Sequence, residues 1–100
     1  MGPLRIDLSP LENLRVAAVQ KALDEVLASE LARGRSICTC EVCVLDMGAI
    51  ALNSLPPQYV TDPWLKFSET PAVAKAEYEK VKVAVRQAIE AVVERPHHDR

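Results

Sequence analysis

The chain has 100 residues, enough for one small domain but too few to bury a large core unaided. Its net charge of −2 supplies no positive field to draw it to nucleic acid or anionic lipid, and no segment approaches the ~20 uninterrupted apolar residues of a membrane span. Apolar residues make up 49% of the sequence yet only four side chains are aromatic (Tyr59, Trp64, Phe67 and Tyr78), so the core must be built from Leu, Val, Ile and Ala, which suits packed helices.

Residues 1–10 lack the apolar stretch of a secretory signal, so the expected compartment is cytoplasmic, where thiols stay reduced. A first helix is predicted over about 10–33. Ser9 can cap it, Pro10 fits the first helical position, and Glu12 can reach back as a capping box. Val16, Val19, Leu23, Val26, Leu27 and Leu31 recur at helical steps, with Ala18 and Ala22 beside them. Gly34 supplies the left-handed residue that commonly ends a helix.

Arg33 and Arg35 follow. Paired guanidinium groups match phosphate oxygens, which makes them candidate ligand contacts; the plainer role is to offset the helix C-terminal dipole and nearby thiolate charge.

Cys38, Cys40 and Cys43, all the cysteines of the chain, lie within six residues. Cys-x-Cys and Cys-x-x-Cys spacings put successive sulfurs on one side of a tight turn, where they can share a metal ion. A disulfide would leave one thiol over, an iron–sulfur cluster usually wants four cysteines, and the alternative is a set of small buried hydrophobes. Zinc is the expected ion, in a structural role, because thiolates select it.

A middle helix is predicted over 41–54. Val42, Leu45, Ala49 and Leu52 step along one apolar face, and Asp46, Ile50 and Asn53 line the adjacent strip. Asp46 and Asn53 could hold a ligand or bond backbone groups. Gly48 costs about 1 kcal/mol relative to Ala inside a helix, and close packing against another helix is the expected return. Pro56-Pro57 stops the helix and opens an irregular Pro-rich connection, with a short helical turn expected at Pro63–Phe67. Tyr59, Trp64 and Phe67 are expected either to close over the core or to form a base-stacking platform.

Thr70-Pro71 repeats the cap-then-proline signal and opens a third helix over 71–95. Ala74, Tyr78, Val81, Val85, Ala88, Ile89, Val92 and Val93 form its apolar stripe. Residues 96–100 are a polar tail. If the third helix folds back along the middle one, His97 can return to the cysteines as a fourth ligand, with Asp99 orienting its other nitrogen. Water or Asp46 in the fourth place, with the tail unattached, is the other reading. The whole is expected to be an all-α, three-helix single domain spanning 1–100, paired through helices as a homodimer.

The stretch C-T-C-x-x-C-x-x-D-x-x-A-x-A-L-N-x-L-P-P-x-Y-V resembles the signature of the late competence development protein ComFB family. It is matched by Cys38, Thr39, Cys40, Cys43, Asp46, Ala49, Ala51, Leu52, Asn53, Leu55, Pro56, Pro57, Tyr59 and Val60. The resemblance implies a small all-helical homodimer with bound zinc and no catalysis. It also implies, through some relatives, a receptor for cyclic dinucleotides such as cyclic di-GMP or cyclic di-AMP. Those relatives carry a basic stretch ahead of the A-L-N-x-L-P-P helix, where this chain has Val44-Leu45-Asp46 and offers Arg33, Arg35 or Lys66 as the nearby cations.

An enzyme is not expected. The two histidines sit together in the tail, and no Gly-rich phosphate loop, HExxH motif or nucleophile elbow occurs. Nucleic-acid binding is disfavoured for want of a basic stripe. Two roles remain: a regulator that binds a cyclic dinucleotide, with Arg33, Arg35, Asn53 and Tyr59 as candidate contacts, or a protein–protein adaptor in competence or related regulation whose zinc only stabilises it.

Overall fold

Three helices carry nearly all the regular backbone, and one two-residue ladder ties two of their ends together. The computed structural model describes residues 7–61 and 70–96. The helices are α1 (Leu14–Ala32), α2 (Glu41–Ser54) and α3 (Pro71–Glu94). The strands are β1 (Glu12–Asn13) and β2 (Tyr59–Val60), antiparallel, with Glu12 opposite Val60 and Asn13 opposite Tyr59. The turn expected at Pro63–Phe67, and with it Trp64, Lys66 and Phe67, lies outside the described residues, as do His97 and the rest of the tail.

The first helix begins later than its local signals predict. Ser9 directs both its N–H and its hydroxyl to the Asp7 carboxylate, at 2.9 and 2.8 Å, and Leu11 N–H closes a turn onto Leu8. The helix itself starts only at Leu14, so Ser9 belongs to this local turn and does not cap it. Asn13 is the cap instead: its Oδ1 accepts from Arg15 N–H at 3.1 Å and from Gln58 N–H at 2.9 Å. That second bond comes from the far side of the Pro-Pro turn, so a tertiary contact sets the helix start.

At the other end Gly34, at φ 86°, forms a Schellman turn. Gly34 N–H donates to Leu31 and Arg35 N–H to Glu30, at 3.0 and 3.2 Å. The third helix starts where expected, with Thr70 Oγ1 accepting from Val73 N–H at 3.2 Å.

The core joins Val19, Ala22, Leu23, Val26 and Leu27 of α1 to Cys43, Met47 and Ala51 of α2 and to Val81, Val85, Ala88, Ile89 and Val92 of α3. The most extensive helix contact is α2 with α3, followed by α1 with α3. Val16 and Leu31, placed on the core stripe of the first helix by spacing, are instead exposed, and so is Ala74 in the third. Tyr59 does not close over the core; it is 62% exposed.

The apolar face picked out in the middle helix is not its buried one. Val42 and Leu45 are 41% and 64% exposed, while Cys43, Met47 and Ala51 are sealed. The helix is apolar on both sides, and gathering Cys43 with the other two thiols turns the 43–47–51 side inward. Gly48 is not needed for close approach: a Cβ there would meet Leu23 Cδ1 at 3.8 Å, an ordinary contact. No helix among the described residues is long and apolar enough to cross a membrane.

Candidate metal centre

The connection from α1 to α2 delivers the thiols. After the turn at Gly34 the chain runs without regular structure, and Ile37, 8% exposed, plugs into the core. That anchor fixes the position of Cys38. Cys40 then caps α2 with φ −67° and ψ 160°, its Sγ accepting from Cys43 N–H at 3.5 Å. Cys43, the third residue of the helix, points back toward its own cap and is fully buried, while Cys38 and Cys40 are half-buried.

The three Sγ atoms lie within 4.8 Å of one another. A tetrahedral ion with metal–sulfur bonds of about 2.3 Å separates its sulfurs by about 3.8 Å, so a small inward adjustment of side chains would satisfy one. The start of α2 directs backbone N–H groups toward the cluster, that of Cys43 onto Cys40 Sγ, and that end of a helix favours negative charge. Thiolate charge at the buried Cys43 is costly without a cation beside it. By donor type, spacing and setting, these residues could hold a metal ion.

A cleft of about 220 Å³ adjoins the cluster, lined by Cys38, Met47, Val92 and Pro96 among others. The end of α3 therefore reaches the cysteine side of the molecule, as a third helix folded back along the second requires. His97, the residue after Pro96, lies outside the described residues. Asp46 sits half-buried, one turn beyond Cys43 on α2.

The four candidate ligand contacts do not converge. Arg35 is committed within the chain: its Nη1 reaches Glu30 at 3.5 Å, and both terminal nitrogens grip Glu90, Nη2 at 3.2 Å. This fork holds the Glu90 carboxyl below its ordinary range. Arg33 is open to solvent and 3.8 Å from Glu30; with Ser29, Lys82 and Arg86 it borders a groove of about 220 Å³ between α1 and α3. Tyr59 stands opposite Asn13, at the far end of α1, and the 19 residues between imply about 28 Å along the axis. Asn53 lies exposed in the last turn of α2, about 15 Å along that helix from Cys43.

Sequence reasoning passed over Arg15. It is 6% exposed, donating from Nε to Pro56 O at 3.2 Å and from Nη2 to Glu77 at 2.9 Å. It forms part of the wall of a groove of about 450 Å³, with Leu14, Ala18, Gln58, Glu77 and Tyr78. Tyr78 donates to Glu25 at 2.7 Å, and burial followed by that bond pushes its phenol up to about 12. The one available signal was position: Arg15 falls four residues before Val19, on the stripe that turned out to be buried.

Three packed helices with three thiols gathered at the start of the middle one define a class of small helical proteins carrying a tricysteine cluster. The family model described as Late competence development protein ComFB matches residues 12–96, and the chain belongs to that family. The solved structure of the late competence protein ComFB from Bacillus subtilis is similar, with a TM-score of 0.68 and 27% identity, covering 88% of this chain and 93% of that one. No curated protein matches the sequence.

Proposed function

We propose that this chain is a non-enzymatic, cytoplasmic regulatory protein, a homodimer whose fold is stapled at one end by zinc on Cys38, Cys40 and Cys43. The observation that carries the zinc is the trio of sulfurs within 4.8 Å at the start of α2. Bound there, the ion would offset thiolate charge and lock the α1–α2 connection onto the core, a structural service rather than a catalytic one. His97 is the proposed fourth ligand, supported by Pro96 lining the cleft beside Cys38. Metal analysis tests both points: one zinc per chain is expected, and a chain cut after Arg95 should hold it more weakly. Equal retention by the cut chain would remove the histidine from the site.

The regulatory ligand on this reading is a cyclic dinucleotide. The resemblance to receptors of this kind suggests it, and Arg33, Lys82 and Arg86 offer cations in the α1–α3 groove, beside Glu25 and Glu30. The competing reading is a protein–protein adaptor in competence or related regulation. It is favoured by the commitment of Arg35 to Glu30 and Glu90 and by the exposed apolar side of α2. Calorimetry of the zinc-loaded protein with cyclic di-GMP and cyclic di-AMP separates the two. Saturable heat with either supports the receptor; none with both leaves the adaptor.

A further inference from the structure

We infer that Cys40 and Cys43 form a thiol–disulfide couple that hydrogen peroxide closes and an added thiol reopens, and that closure withdraws two of the three sulfurs from the metal. The release of metal rests on the zinc site proposed above; the pairing of the two sulfurs does not.

The first turn of α2 sets the pair. Cys40 is the N-cap and Cys43 the third helical residue, and Val44 N–H already donates to Cys40 O at 3.0 Å. One helical turn puts their Cα atoms about 5 Å apart. A disulfide asks for roughly 4.4–6.8 Å, so rotation about the two Cα–Cβ bonds closes this one with the helix left in place. The sulfurs start within 4.8 Å of each other, and Cys43 N–H, donating to Cys40 Sγ at 3.5 Å, holds that sulfur over the turn. Cys38 is placed differently. With Thr39 as the one residue between, a Cys38–Cys40 bridge would close a strained ring. A Cys38–Cys43 bridge would pull on a connection that Ile37, 8% exposed, pins in the core.

Burial sorts the roles. Cys40 is half-buried and meets the oxidant, whereas Cys43, 0% exposed, is reached only from its neighbours. The Cys40 sulfur attacks one peroxide oxygen, the O–O bond breaks, and a sulfenic acid and one water result. The Cys43 sulfur then attacks the Cys40 sulfur, and the sulfenic oxygen leaves as a second water. Two thiols have given up two electrons and two protons, and the peroxide has become two waters. From the metal-bound state the sulfurs enter as thiolates, and the two protons come from solvent. Once the couple is closed, Cys38 is the last thiolate of the three, too few to hold zinc.

The experiment treats the full, zinc-loaded chain with a few equivalents of hydrogen peroxide. One zinc per chain should pass to a chromogenic chelator, the mass should fall by two hydrogens, and Cys38 alone should then take an alkylating label. Helicity should be kept, and excess dithiothreitol followed by zinc should restore the starting state. Cys38→Ser, which keeps only the proposed pair, should close the same bridge, and C38S/C43S should stop at a Cys40 sulfenic acid captured by dimedone. A chain that holds no zinc before oxidation overturns the zinc site, and its mass and label then uphold or overturn the couple by themselves. Zinc that stays bound under peroxide, a bridge that includes Cys38, helicity lost on closure, or thiols that pass straight to sulfinic acid overturns the couple and leaves the zinc site standing.

Discussion

Arg15 in the first turn of α1 and Glu77 in the second turn of α3 meet at 2.9 Å although 62 residues separate them in the chain. Arg15 also bonds Pro56 O, so one side chain joins the starts of two helices and the Pro-Pro turn. Its side chain is 7% exposed against 28% for Glu77, and the arginine is the costlier member to remove. Arg15→Ala should lower unfolding free energy by about 2 kcal/mol, from lost hydrogen bonds and packing. Denaturant titration with an unchanged slope would give the value.

The same pair sets an acid limit. The hydrogen bond from Arg15, then Lys80, holds the Glu77 carboxyl below its ordinary value of 4.5. The folded value is depressed, so the contribution is present above pH 4.5 and is lost as pH falls through the lower folded value. Arg35 does the same for Glu90. Glu77→Gln should therefore be less stable than wild type near neutrality, with the gap narrowing under acid. Unfolding midpoints measured from neutral pH down to about pH 3 would reveal this convergence.

Gly48→Ala is expected to stabilise the monomer by about 0.5–1 kcal/mol, because alanine restricts the unfolded chain and its Cβ meets only Leu23 Cδ1 at 3.8 Å. A loss of stability would mean that α2 approaches a neighbour more closely in solution. Thermal unfolding of both proteins decides it.

Removing metal should loosen the cysteine end first. A chelator is expected to lower the thermal midpoint of the wild type and to leave Cys43→Ser unmoved, since a ligand bound only by the folded form stabilises it by mass action. Amide exchange should locate the loosening in residues 36–44, ahead of the core of α3.

The helices were legible because each carries its own period over many turns, and α3 also carries its own cap, Thr70 before Pro71. The cysteine cluster was legible because its spacing is local. The start of α1 was not, since Ser9 has an equally local competitor in Asp7 while the true cap, Asn13, is selected by Gln58 from across the chain. Arg15 was marked only by its place four residues before Val19, because an arginine is buried through its partners, Pro56 and Glu77, and both are distant in sequence. On α2 the two apolar sides look alike, and only the folded arrangement distinguishes the one holding Met47 from the one holding Leu45. The ladder of Asn13 with Tyr59 is two residues long, too short to leave an alternating pattern.

Because Pro96 borders the same cleft as Cys38, anything fused after Arg100 is tethered only four residues beyond a position beside the thiols. A polyhistidine purification handle placed there would bring imidazoles within reach of the cluster, competing for its ion or completing its coordination artificially. A fluorophore in the same place would report on the cysteines more than on the remainder of the molecule. Handles are better carried ahead of Met1, since the chain leads from there into β1 at the end of α1 remote from Gly34, and metal stoichiometry is best measured on protein with nothing appended after Arg100.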